Sequence, residues 1–450
     1  MLRGKKSVWF LGFIQLILLS LVLLACGDST PTPLAQPTAI PKPTTMPTAA
    51  TANPVTIKWS FWGDVDEIAI NKKLIDQFER LNPGIKVNPL FDTWDNYYKH
   101  LDKDWTGANT PDVMFLENIA TYASQGILEN LDPYLAEEKN FKMEDFYPGL
   151  LNQSRYKGAL YGLPRDNDTK VVFVNLKLLR EAGISVPKAG WTWQDLRDAA
   201  LKLTKKEADG TISQYGYAFE PNDWWRLWIL QNGGELFDAN TPPDPPTHLL
   251  INTPEGASAI QFFADLINRD KVSPAYDMMD TSGKISDMFS NGKVAMAFGN
   301  HALVPLFSKN KKLEWDVVPL PMGKKRVNVL DGAGYVINQV SKNKAAAWQF
   351  VKFLSSELGQ GLFMESGVVV PARQSIREDN IFVQGSKYNW QVFIAETQVG
   401  VPTPNFRSFN IISQLVDESL GPVWKGQKSA AEVFPTLPAK IDLELAKLKR

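Results

Sequence analysis

TIKWSFWGDVDEIAINKKLIDQFERLNPGIKV, residues 56–87, decides the fold class of this 450-residue chain. Thr56 to Trp62 alternates polar and apolar residues and predicts a strand with one face turned to a core. After Gly63 and Asp64, residues Leu74, Ile75, Phe78 and Leu81 recur at helical spacing, and Asn82-Pro83-Gly84 stops them. Ile85 to Val87 resumes a strand, and Pro111 to Leu116 reads as a fully buried one. Strand, helix and strand at this spacing form a βαβ unit, which predicts a parallel sheet and an α/β protein.

The same grammar recurs downstream. Thr192 with Asp195 fits the looser capping box, ahead of Leu196, Ala199, Ala200 and Leu203 on one face. Thr253-Pro254-Glu255 places proline at a first helical position before Ile260, Phe263 and Ile267. Ala347, Phe350, Val351, Leu354 and Leu358 form a further stripe, with Gly359 as its stop. These stripes read as core.

Upstream, the composition changes. Arg3, Lys5 and Lys6 precede a span from Val8 to Ala25 that is apolar apart from Gln15 and Ser20, the layout of a secretory signal. An uncleaved anchor is the competing reading, because about 18 apolar residues lie near the lower limit for spanning a bilayer. Leu23-Leu24-Ala25-Cys26 resembles a bacterial lipobox, so residues 1–26 are expected to be signal peptide and lipobox, with Cys26 lipidated. Residues 27–54 carry seven prolines and seven threonines with only Asp28 and Lys42 charged, a composition that spaces rather than packs.

Cys26 is the single cysteine, which excludes intramolecular disulfides, cysteine zinc sites and CxxC redox centres. A net charge of −1 without a long basic run in the body argues against nucleic acid as a partner. His100, His248 and His301 are too scattered for a metal-ligand pattern. No GxSxG, HExxH or GxxxxGK occurs. A secreted glycoside hydrolase working through two carboxylates stays open as an alternative, as does a carbohydrate adhesin, although no repeats of the kind adhesins carry occur.

Several runs together resemble one family: Phe78 to Val87, Gly107 to Val113, Tyr161 to Asp166, Asn175 to Leu179 leading into Ala182-Gly183-Ile184, and Asn252 to Gly256. Gly292 to Met296, Trp315 to Pro321, and Ser341 to Ser356 complete the set. In this order they are similar to the extracellular solute-binding proteins, family 1, that serve ABC-type sugar importers. The resemblance runs from about Thr56 to Arg373 and weakens beyond. It implies two interleaved α/β lobes joined by hinge strands and closing on ligand as a clamp. Lobe one is expected at 55–165 plus 313–360, and lobe two at 166–312 plus 361–450. The crossovers would fall near Leu160 to Asp168, Lys309 to Leu313 and Leu358 to Phe363. A lipid-tethered extracytoplasmic monomer is implied, with a sugar and ABC permease subunits as partners, and no cofactor or metal.

A clamp for a sugar needs aromatic faces for pyranose C–H groups and planar polar side chains for hydroxyls. Among 14 tryptophans the clearest cluster is Trp224, Trp225 and Trp228. On a helix Trp224 and Trp228 share a face while Trp225 turns away, so part of the cluster must be core. Trp224 and Trp225 are taken as candidates. Strand ends, where α/β folds present ligand contacts, supply the others: Trp62, Asp64 and Glu67; Glu117 and Asn118; Asp166 and Asn167; Gly299 and Asn300, beside His301; Asp331 and Gly332; and Arg373. Each also reads as a turn former, a cap or a surface charge. The absence of a basic cluster among them favours a neutral mono- or oligosaccharide over an anionic one.

Overall fold

The computed structural model describes residues 53–101, 110–238, 246–279, 283–364, 367, 369–376, 387–407 and 409–448. Cys26, the apolar span before it and the Pro/Thr tract up to residue 52 lie outside the described residues.

The opening stretch forms the predicted unit. Strand Val55–Trp62 turns Ile57, Trp59 and Phe61 into a core, and helix Val65–Leu81 covers it with Ile70, Leu74, Ile75 and Phe78. Asp64 starts that helix by accepting the backbone N–H groups of Asp66 and Glu67, each at 2.9 Å, which satisfies two of its orphan donors. Strands Ile85–Asp92 and Val113–Leu116 flank Val55–Trp62, both parallel to it. Gly334–Ile337 then adds on antiparallel beside Val113–Leu116, with Gly162–Pro164 at the edge. The first sheet is therefore mixed, because two of its five strands arrive from elsewhere in the chain.

A second five-stranded sheet is built around Val171–Asn175, whose five residues are all buried. Trp315–Val318 and Val294–Gly299 pair antiparallel on either side of it, and Ile212–Ala218 runs parallel to Val294–Gly299. Helix Trp193–Leu203 begins at Thr192 with the expected capping box, and Pro254–Asn268 begins at Thr253. Both face this core, as do Phe409–Trp424 and Leu437–Leu448 near the C-terminus.

The Ala347 stripe ends sooner than its spacing predicts. Helix Lys344–Leu354 stops at Ser355, and a separate helix, Glu357–Met364, follows. Leu358 is thus 48 % exposed, and Gly359 lies inside the second helix rather than at a stop.

The chain passes between the sheets three times. The first passage follows Pro164, between Gly162–Pro164 in the first sheet and Val171–Asn175 in the second. The second, expected near 309–313, lies at Leu330 to Ala333, because Trp315–Val318 pairs with Val171–Asn175 in the second sheet. Helix Glu357–Met364 packs against Val65–Leu81, so the third passage comes after Met364 rather than at 358–363. A four-residue apolar strand fits the edge of either sheet, and tertiary pairing selects one. The passages bind one another: Asp166–Asn167 pairs with Val370–Pro371, and Asp168 with Asp331. Away from them, Lys309 of the second lobe pairs with Asp66 of the first, and Asn405 donates to the carbonyls of Asn152 and Arg155 at 3.0 and 2.9 Å.

Candidate functional site

A cleft of 1060 Å³ opens beside the passages, lined from both lobes. On the first lobe, Trp62 ends its strand and stacks on Phe115, with ring centroids 3.8 Å apart and planes at 18°. The guanidinium of Arg165 lies 3.8 Å from the Phe115 centroid. Glu67 pairs with Arg165, and Asp166 accepts from Arg165 Nη2 at 2.7 Å and Nε at 3.0 Å. A carboxylate on each side thus fixes a cation over the aromatic ring behind Trp62. Asn118, just past Val113–Leu116, has φ +52°, a left-handed conformation that asparagine tolerates, and its side chain makes no capping bond.

The second lobe presents Trp224. Helix Trp225–Gln231 begins one residue later, so Trp224 caps it and faces the cleft, while Trp228 stacks on Phe263 at 3.9 Å in the core. Lys170 Nζ stands 4.0 Å from the Trp224 ring and 2.9 Å from Asp168 Oδ2. Arg226 lies 4.8 Å from the same ring and reaches Asp331 Oδ2 at 3.0 Å. Asn300 donates to Asp168 Oδ2 at 3.0 Å. Asp417, from helix Phe409–Trp424, accepts the N–H of Asp223 at 2.8 Å.

Electrostatics follow from this crowding of carboxylates. Burial and the charges of Asp331, Asp166, Asp168 and Asp223 push the Glu117 carboxyl up to about 8. Burial raises Asp417 to about 7, with Asp223 and Glu418 adding repulsion against the hydrogen bond from Asp223 N–H and the charge of Arg226. Asp331 is raised by burial against the pull of Arg226 and Lys170. Among the described residues no group of three or more His, Cys, Asp or Glu side chains could hold a metal ion.

Of the residues singled out in the sequence, Trp62, Glu67, Asn118, Asp166, Asn167, Trp224, Asn300, Asp331 and Gly332 line the cleft, as do Glu117 and His301. Four do not. Asp64 is spent on its helix cap. Trp225 is fully buried in the second core, because the helix starts at it and turns it inward. Gly299 packs where a Cβ would come within 2.5 Å of Leu303 Cδ1. Arg373 is 3 % exposed and staples the first lobe to the passages, donating to Ser355 O at 2.6 Å, Lys142 O at 3.0 Å and Asp145 Oδ2 at 3.1 Å.

Sequence reasoning missed the cations Arg165, Lys170 and Arg226, although Arg165 adjoins Asp166 at the first crossover. It also missed Phe409, Ser413 and Asp417, which line the cleft from one helix. Their i, i+4, i+8 spacing was a usable signal.

The family model for bacterial extracellular solute-binding proteins matches residues 64–361. A galactooligosaccharide-binding protein of Bacillus subtilis is 24% identical over 376 residues, covering 81% of this chain and 84% of that protein. The ABC substrate-binding protein Lmo0181 of Listeria monocytogenes, solved in complex with cycloalternan, superposes with a TM-score of 0.79 at 23% identity, covering 87% of this chain and 99% of that one. The maltose-bound MalE3 of T. maritima gives 0.73 at 22%, covering 88% and 100%.

Proposed function

The chain belongs to the bacterial extracellular solute-binding proteins, and from that premise we propose that it is a receptor that captures a mono- or oligosaccharide in the cleft and delivers it to an ABC importer permease. The observation that carries the reading is the cleft itself: two indole rings, Trp62 and Trp224, from two lobes, interspersed with planar polar groups. Trp62 and Trp224 serve as platforms for pyranose faces, and Asn118, Asp166, Asn167 and Asn300 address hydroxyls. With contacts on both lobes, only the closed form gains the whole interaction, so ligand shifts the population toward closure. The sugars named for the Bacillus, Listeria and Thermotoga relatives support the ligand class.

Binding ends in release, not turnover. Cys26 tethers the receptor through lipid, and the Pro/Thr tract gives it reach from the membrane. Its replacement, Cys26→Ala, should abolish incorporation of labelled fatty acid in expressing cells; equal incorporation would remove the anchor from the reading.

Calorimetry and thermal shift of the purified full-length chain against a broad panel of neutral mono- and oligosaccharides test the central point. A cognate sugar at 100 times its dissociation constant should add about 2.7 kcal/mol of stability, and it should be recovered chemically unchanged. A panel in which nothing binds, or a sugar recovered hydrolysed, would overturn the proposal.

A further inference from the structure

The cleft extends along one helix. Phe409, Ser413, Asp417 and Gly421 of helix Phe409–Trp424, with Lys425 just past its end, all line it. At four-residue intervals they form a continuous ridge that runs obliquely along the helix and covers about 24 Å at the helical rise. That is several times the width of one pyranose ring. The volume of 1060 Å³ likewise stands at the top of the range, about 300–1,000 Å³, of sites that enclose a drug-sized ligand.

Contacts along the ridge give the groove its direction. At the Phe409 end, Arg226 lies 5.9 Å from the Phe409 ring and donates to Asp331 in the second passage. In the middle, Ser413 donates to Asp223 Oδ1 at 3.1 Å and Asp417 accepts the Asp223 N–H, which holds the loop that carries Trp224 beside them. At the far end, Lys425 Nζ lies 5.2 Å from the centre of the Tyr276 ring and 3.4 Å from Asp277 Oδ1. The groove therefore starts at the passages, runs past Trp224 and ends at Tyr276.

The far half is shaped and left open. Tyr276 is half-buried and lines the cleft, and its hydroxyl exchanges hydrogen bonds with the Asn222 amide at 3.1 and 3.2 Å, so the ring is held in place before any ligand arrives. Gly421 stands between Asp417 and Lys425 on the ridge, and a Cβ there would meet nothing within 4 Å. A large side chain at this position would fill the groove, and glycine leaves it free.

We infer that the ligand is an oligosaccharide of three or more sugar units, laid along helix Phe409–Trp424 with its distal unit against Tyr276. This rests on the sugar reading above and deepens it by setting the length of the cognate ligand. A mono- or disaccharide held at the passages would not reach Tyr276 or Lys425. Each further unit brings ring carbons for aromatic surface and hydroxyls for the polar groups of the ridge, so affinity grows with length until the groove is full.

Chain-length ladders test it on the full-length chain by calorimetry: glucose to maltohexaose, glucose to cellohexaose, xylose to xylohexaose, mannose to mannohexaose and galactose to galactotetraose. In at least one ladder a trisaccharide or longer member should bind at least tenfold tighter than the disaccharide. Gly421→Leu should bring that ratio toward unity and keep the disaccharide's affinity, because its side chain blocks only the far end. Gly421→Ala is its control: it sets the same Cβ before Pro422, where a helical residue is strained, without the bulk, and should keep the ratio. Tyr276→Ala, an independent variant, should lower the ratio as well. If affinity is already complete at the mono- or disaccharide in every ladder that binds, or if only monosaccharides of the broader panel bind, the inference fails and the sugar reading stands. If no sugar of any length binds, both fail. A tenfold gain untouched by Gly421→Leu and Tyr276→Ala would move the distal units off this ridge and overturn the assignment.

Discussion

Trp62, Trp224 and Trp225 are the same residue type put to different uses, and substitution should separate them. Trp225 meets only core, so Trp225→Ala should lower unliganded stability by about 3–5 kcal/mol with no selective effect on affinity. Trp62→Ala removes a platform and should weaken sugar binding about thirtyfold, roughly 2 kcal/mol, beyond any stability loss from its contact with Phe115. Trp62→Phe should keep most of the affinity, because an apolar face survives. Calorimetry beside urea unfolding of each variant checks this, and a Trp62→Ala protein with native affinity would take that ring out of the site. The carboxyls make a prediction of another kind. Glu117 and Asp417 bind protons more tightly folded than unfolded, since burial raises both above the ordinary carboxylate range. Stability from these groups is therefore complete at pH values below that range and is lost as pH rises through about 7 and 8. The urea midpoint of the ligand-free protein should fall between about pH 5.5 and 8.5, and Glu117→Gln should flatten the slope. The lowered carboxyls Asp238 and Asp270, near 2, act at far lower pH and leave this window clear.

At the scale of elements, the passages between lobes are close-packed rather than slack. A Cβ on Gly332 would lie 2.6 Å from the carbonyl oxygen of Asp166, which belongs to a neighbouring passage and has little room to move. Gly332→Ala should accordingly cost about 1–3 kcal/mol, the usual penalty for overpacking, and weaken ligand binding by displacing Asp331 and Asp166. Gly361 is the control: it lies within helix Glu357–Met364 with open space around its Cβ position. Gly361→Ala should raise stability by about 0.5–1 kcal/mol through lower backbone entropy in the unfolded chain. Denaturant unfolding of the pair decides the matter, and equal effects of the two substitutions would mean that the passages can yield. The elements themselves were largely legible. The capping box at Thr192, the proline start at Thr253 and the stop at Asn82 are local chemistry, and local chemistry is written in consecutive residues. The break at Ser355 was not, because an apolar stripe continues across it and only the packing of Glu357–Met364 on Val65–Leu81 reorients the chain there.

For the whole molecule, the question is how far the lobes move. Among the described residues the lobes meet outside the passages through the exposed Lys309–Asp66 pair and the bonds from Asn405, of the kind that contributes little individually, and through helix Pro148–Gln153 packed on Gly400–Pro402. Ligand contacts on both walls should then govern the equilibrium. Small-angle scattering should show a smaller radius of gyration with saturating cognate sugar than without it. An unchanged radius would indicate a site that is rigid from the start.

By itself the sequence determined what depends on neighbours along the chain: the α/β class, the capped helix starts at Thr192 and Thr253, and the extracellular solute-binding family through its ordered motifs. Tertiary structure decided what depends on residues far apart. It placed Trp315–Val318 in the second sheet and moved the second passage to Asp331. It set Trp224, itself mostly buried, at the cleft wall and Trp225 wholly in the core by starting a helix between them. It also withdrew Arg373 from the site by giving its guanidinium partners near residue 145 and at Ser355. The reason is physical: strand partners and buried charge pairs are chosen by competition among distant segments for the same surface, and a short apolar strand or a lone arginine carries no mark of which competitor wins.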